Sequence, residues 1–139
     1  MNELKNKELQ YIIGEVYHIR FGKTLLPEIN DVHLGIIFPI KNCKTMAFCL
    51  PLTSVKEKHF KNKKSFIKRN YHELKYPHTY YISETDSIAL LEQIRAISIS
   101  RIESVYKVDS APVKISDNCL NKIIKHTNLF VLKDIIDYK

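Results

Sequence analysis

Apolar and polar positions follow two different periods along this chain, and the change of period separates a strand-rich body from a helical end. Leu9, Ile12 and Ile13 share one helical face and Gly14 ends the pattern, so a short N-terminal helix is predicted over residues 1–13. Residues 15–21 then alternate, with Tyr17, Ile19 and Phe21 on one side and His18 and Arg20 on the other, the period of a half-buried strand. A loop of mixed character over residues 22–32 carries Glu28. Two apolar runs, residues 34–40 and 45–52, flank the polar Lys41-Asn42-Cys43-Lys44, a connection short enough for an antiparallel hairpin.

Beyond the hairpin the pattern is less regular. Ile67, Tyr71 and Leu74 stand at i, i+4 and i+7, which suggests a short helix. Tyr80 and Tyr81 open a β-prone segment, residues 87–98 read as one strand, and residues 105–108 as a last short one. After Ser116, a good N-cap, Leu120, Ile123 and Ile124 fall on one helical face. Leu129, Leu132, Ile135 and Ile136 extend that stripe, which is expected to serve core or dimer packing. Short strands followed by a terminal helix predict a mainly β, α+β fold: an antiparallel, barrel-like sheet with a C-terminal helix.

Composition narrows the picture. A chain of 139 residues, 45% apolar, supports one domain, whereas two would each be marginal. The formal charge of +7 favours a polyanionic partner. Most of the excess sits in one stretch, since residues 55–76 hold eight Lys or Arg against two acids, and this stretch with its flank to residue 80 reads as a basic insertion. Three cysteines and a polar opening, Met1-Asn2-Glu3-Leu4-Lys5, indicate a reduced, cytoplasmic setting. No apolar run reaches membrane-spanning length. The absence of a C-x-x-C pair and the scatter of the six histidines argue against zinc.

One segment carries a specific resemblance. Residues 86–102, with Ser87-Ile88-Ala89-Leu90-Leu91-Glu92-Gln93-Ile94-Arg95 at their centre, resemble the S-V-x-L-L-E-Q-I-R strand of the PemK/MazF toxin family. Gly14-Glu15-Val16-Tyr17 is similar to that family's opening strand, and Leu50-Pro51-Leu52-Thr53-Ser54 to its A-x-I/L-T-S strand end. The resemblance implies an SH3-like barrel, a homodimer, and an mRNA interferase, a sequence-selective endoribonuclease of a toxin-antitoxin system. It also implies a cognate antitoxin, more readily a protein than an RNA. In this chemistry a ribose 2′-hydroxyl attacks the adjacent phosphate, with no metal or other cofactor. Such a reaction needs a group to take the hydroxyl proton, one to protonate the leaving oxygen, and donors around the phosphate.

Carried over by position, Thr53 matches the family's active-site threonine, with Ser54 beside it. The family's catalytic arginine, in an R-P dipeptide opening the second strand, is replaced here by His33-Leu34. Histidine exchanges protons near neutral pH but brings less permanent charge than arginine. Lys56 is the candidate source of that charge, and Glu28 matches a glutamate that often precedes the arginine. Residues 51–56, Pro-Leu-Thr-Ser-Val-Lys, are also similar to a pattern at the active site of the related ToxN group, which points again to Thr53, Ser54 and Lys56. Gln93 and Arg95, two apart on the expected strand, would project from one face towards phosphate and base edges. Phe60, Phe66, Tyr71 and Tyr76, interleaved with the lysines, suit base stacking. Thr53 and His33, both expected near the surface, are thus the expected catalytic pair, and Glu28, Ser54, Lys56, Gln93 and Arg95 the expected substrate contacts. Two other readings stay open: a catalytically silent RNA- or antitoxin-binding module, and a topoisomerase poison of the CcdB type.

Overall fold

The computed structural model describes residues 12–22 and 31–126. The expected N-terminal helix up to Tyr11, the loop residue Glu28, and the stripe from Leu129 to Ile136 lie outside the described residues. What is described is mainly antiparallel β with few helices. Strands β1 (Val16–Gly22), β2 (Asp31–Pro39) and β3 (Met46–Ser54) form a meander, with Ile19 opposite His33 and Gly35 opposite Pro51. The hairpin pairs as its two apolar runs predict. Strand β2 starts at Asp31, however, so His33 lies within the strand and not at its mouth.

The segment predicted as one strand over residues 87–98 is two. Strand β5 (Ser87–Leu90) pairs with the end of β3, at Leu52 to Ser54. The chain then makes a 3-10 turn at Leu91–Gln93, and β6 (Arg95–Ser98) pairs with the start of β3, at Met46 to Cys49. The interruption falls beside Pro51, which has no N–H to give a ladder. Strand β4 (Thr79–Ile82) adds to β5, and β7 (Ile102–Val105) adds to β1. The sheet therefore runs β4-β5-β3-β2-β1-β7, with β6 beside β3. Among the described residues no ladder joins β6 or β4 to β7, so the sheet curls without closing into a barrel. Another 3-10 turn, Ile99–Arg101, links β6 to β7, and Arg101 Nη1 ties it back by donating to the carbonyls of Arg20 at 3.2 Å and Phe21 at 3.1 Å. The last predicted strand divides too, β7 ending at Val105 and a small hairpin of β8 (Lys107–Val108) and β9 (Ala111–Pro112) following.

Both faces of the sheet are covered, which explains why the central strands read as nearly continuous apolar runs. One face buries Val16, Ile36, Phe38, Leu50 and Leu52 against α2 (Asp117–His126), whose Leu120, Ile123 and Ile124 supply the predicted apolar stripe. Ser116 caps that helix, its Oγ accepting from the Cys119 N–H at 3.1 Å. The other face buries Ile19, Phe21, Ile37, Cys49, Ile88, Ile97 and Ile102.

The basic stretch is compact. Asn62 caps the short α1 (Lys63–Ile67), accepting from the Ser65 N–H at 2.8 Å, and Arg69 then turns through a positive φ of 53°. That turn ends the helix before the periodicity of Ile67, Tyr71 and Leu74 is spent, leaving Tyr71–Glu73 as a separate 3-10 turn. The interleaved aromatics pack on each other instead of lining up as a stacking platform. Phe60 is buried against Phe66 and Tyr71, with ring centroids 5.5 and 5.7 Å apart, and Tyr71 stacks on Tyr81 at 3.6 Å. Tyr76 alone of the four is markedly exposed, at 48%. Among the described residues no helix is long and apolar enough to cross a membrane.

Candidate functional site

The site begins where two strands part. The β2–β3 ladder ends at Gly35 and Pro51. Past that point β2 continues with β1 alone, while β3 continues with β5. A fork opens between residues 32–34 and 52–54, and among the described residues no strand lies across from the backbone groups that would have extended the ladder. A cavity of about 320 Å³ occupies the fork. His33 borders it from one prong, Thr53 and Ser54 from the other, and Asp86, Ser87 and His18 complete its wall with Tyr106.

The register decides which side chains belong together. Continuing it two residues beyond Gly35 and Pro51 would set His33 opposite Thr53. Both then lie on the face that carries Ile37, Cys49 and Ile88. Arg95, opposite Cys49, projects from that same face. Phe21 connects the two side chains: the Arg95 guanidinium lies over its ring at 5.2 Å and the His33 imidazole meets it edge-on at 6.4 Å. Arg95 Nη2 is buried and meets no hydrogen-bond acceptor among the described residues. A buried guanidinium N–H left unpaired is costly, so this face is suited to receive an anion. The Cys49 thiol beside it is pushed well up by burial, against the opposing pull of the Arg95 charge, and is not a nucleophile at neutral pH.

The other wall is hydroxyl-rich. Thr85 and Ser87 share a hydrogen bond between their side-chain oxygens, and Tyr81 donates its hydroxyl to Asp86 at 2.8 Å. Desolvation first, and the Asp86 carboxylate after it, raise the Tyr81 hydroxyl, which stays a proton donor. His18 packs edge-on against Tyr106 with centroids 5.6 Å apart.

Of the expected residues, the fork brings together His33, Thr53 and Ser54; Arg95 does not border the cavity and is joined to His33 only through Phe21. Thr53, expected near the surface, is 8% exposed, so substrate would meet it from the cavity side. Lys56 does not border the cavity; its backbone N–H donates to His59 Nδ1 at 2.9 Å and starts the 3-10 turn Glu57–His59. Gln93 does not share a strand face with Arg95, because it ends the 3-10 turn that separates β5 from β6, and it borders a different cavity. Glu28 is outside the described residues. His18 and Asp86 were not anticipated. The alternation of β1 puts His18 on the side opposite Ile19, shared with the buried Val16, and nothing local foretells that this side meets the fork. Among the described residues no three His, Cys, Asp or Glu side chains come together in a way that could hold a metal ion. No protein-family model matches the chain, and no curated protein sequence matches it either.

Proposed function

We propose that this protein is an endoribonuclease of the PemK/MazF type, on an SH3-like barrel variant, that cleaves RNA by 2′-hydroxyl attack and needs no metal. The observation that carries the reading is the fork, which gathers an imidazole and two hydroxyls around one cavity with a guanidinium behind them. In the proposed step the ribose O2′ bonds to phosphorus as its proton passes to one imidazole. The bond from phosphorus to O5′ breaks and that oxygen takes a proton, leaving a 2′,3′-cyclic phosphate and a free 5′-hydroxyl. His33 is the first candidate for one proton transfer, and His18, which reaches the same cavity from the opposite face of the sheet, for the other. Thr53 and Ser54 hydroxyls, with backbone N–H groups of the fork, donate to the phosphate oxygens as charge builds. Arg95 Nη2, buried without an acceptor among the described residues, supplies the fixed cation that a histidine in the arginine's place does not.

The basic insertion supports the same reading at longer range, because its lysines would draw the phosphate backbone towards the site. The test is incubation of purified protein with single-stranded RNA in EDTA, followed by analysis of fragment ends. Cyclic phosphate and 5′-hydroxyl ends are expected. RNA that stays intact but is retained in a salt-sensitive manner would instead identify a binding module without cleavage. Indifference to RNA together with co-purification of a topoisomerase would identify a poison of the CcdB type.

A further inference from the structure

A second cavity, of about 340 Å³, lies at the opposite end of β5 from the fork. Its volume is within the range of small-molecule sites. Its walls are His59, Tyr76, Pro77, His78 and Thr79 on one side and Leu90, Glu92 and Gln93 on the other. These walls are tied together by backbone and hydroxyl contacts. Thr79 Oγ1 donates to the Tyr76 carbonyl at 2.7 Å, the Leu91 N–H to the His78 carbonyl at 3.0 Å, and the Lys75 N–H to the His59 carbonyl at 2.7 Å. The cavity is therefore set before anything enters it.

Its chemistry is mostly that of acceptors with one aromatic side. Gln93 Oε1 is buried and meets no hydrogen-bond donor among the described residues. Leaving such an acceptor unpaired is costly, and a ligand donor would recover that cost. Glu92, the preceding residue of the same 3-10 turn, is exposed and lines the same cavity. Tyr76, half exposed, offers a ring face at the cavity's edge, with Lys75 Nζ 5.5 Å from the ring centroid. His59 accepts the Lys56 N–H on Nδ1, which keeps its own proton on Nε2 as a donor.

We infer that this cavity is a nucleobase subsite that selects bases carrying an exocyclic amino group, with Gln93 as its specificity-determining residue. The Gln93 carbonyl and Glu92 both line the cavity, and an exocyclic amino group has two N–H groups to offer to acceptors there. The edge of uracil offers a single N–H and two carbonyl oxygens, so it satisfies fewer of them. The exposed ring of Tyr76 suits stacking of an unpaired base, and Lys75 suits its phosphate. The inference takes its meaning from the ribonuclease reading: a base held here belongs to the strand whose backbone crosses the fork.

The experiment follows the His59, His78 and Gln93 side-chain signals by NMR while AMP, CMP, GMP and UMP are titrated separately into the intact protein. The tightest of the four is expected to be an amino-bearing nucleotide, favoured over UMP by about tenfold, and Gln93→Leu is expected to erase that advantage. Glu92→Ala, at an exposed position that the fold does not need, is expected to reduce it. UMP binding as tightly as the others overturns the inference, as does an advantage that survives both substitutions. Because binding is read without cleavage, the two claims separate. RNA cut by a protein that binds the four nucleotides alike leaves the ribonuclease and removes the subsite. A clear amino-base preference in a protein that leaves RNA intact does the reverse.

Discussion

Gly35 is where the architecture of the fork is most exposed to a single methyl group. It is the last β2 residue in the β2–β3 ladder, two residues before His33 is reached and opposite Pro51, two residues before Thr53. A Cβ built there would lie 2.6 Å from Ile19 Cδ1 and 2.7 Å from Cys49 Sγ, with the Leu50 carbonyl at 3.3 Å. Carbon atoms in good contact sit about 3.5–4.0 Å apart, so the shortfall against Ile19 is roughly 0.9 Å or more. Both obstacles are side-chain tips, yet both residues are fully buried and have nowhere to rotate. Forcing one off its rotamer costs about 0.5–1.5 kcal/mol, and overpacking of this kind typically about 1–3 kcal/mol in total.

Gly35→Ala should therefore lower stability by about 2 kcal/mol, read as a shifted urea midpoint at unchanged slope, or as a drop in Tm of roughly 4 °C per kcal/mol. Ile19→Val and Cys49→Ala each remove one of the two obstructing atoms. In either background the alanine should cost less, with a favourable coupling of about 0.5 kcal/mol or more. An unchanged midpoint for Gly35→Ala, or costs that simply add in both double variants, would refute the packing described for this end of the sheet.

Three further outcomes follow from the same geometry. Thr53→Ala and His33→Ala should each reduce RNA cleavage by roughly 10²–10⁴-fold with native circular dichroism retained, measured on a defined oligonucleotide. A His33→Ala variant that cuts at the normal rate would move the role to another group, with Lys56 tested next. Among the thiols, backbone hydrogen bonds from Thr45 and Met46 hold Cys43 below the ordinary range, whereas burial pushes Cys49 far above it. A lowered value means more thiolate at a given pH, so alkylation of Cys43 in the folded protein should set in at lower pH than for a free thiol, with Cys49 unlabelled by mass spectrometry until the protein is unfolded.

Much of the fold was legible because it rests on local pattern. The alternation around Ile19, the short connection at Lys41 to Lys44 and the Ser116 cap each determine one element with little help from the rest of the chain. The divided strand over residues 87–98 was not legible, since an unbroken apolar run looks the same whether it pairs once or changes partners, and the reason for the change lies at Pro51 on another strand. The aromatics of the basic stretch misled for a related cause: composition cannot tell rings that face solvent from rings that face one another. At the candidate site, Thr53, Ser54 and His33 follow from the resemblance, whereas His18 and Asp86 depend on where β2 and β3 part, which is a tertiary fact. Gln93 and Arg95 were grouped by spacing and separated by a 3-10 turn.

The central claim is that a ribose hydroxyl held in the fork attacks its own phosphate. Its most direct measurement compares two otherwise identical RNA oligonucleotides, one carrying a single 2′-deoxyribose on the 5′ side of the cleaved bond, in EDTA with wild-type protein. The account predicts cleavage of the all-ribose strand to a cyclic phosphate and no cleavage at the deoxy position. Equal cutting of both strands, or products ending in a 5′-phosphate, would contradict it.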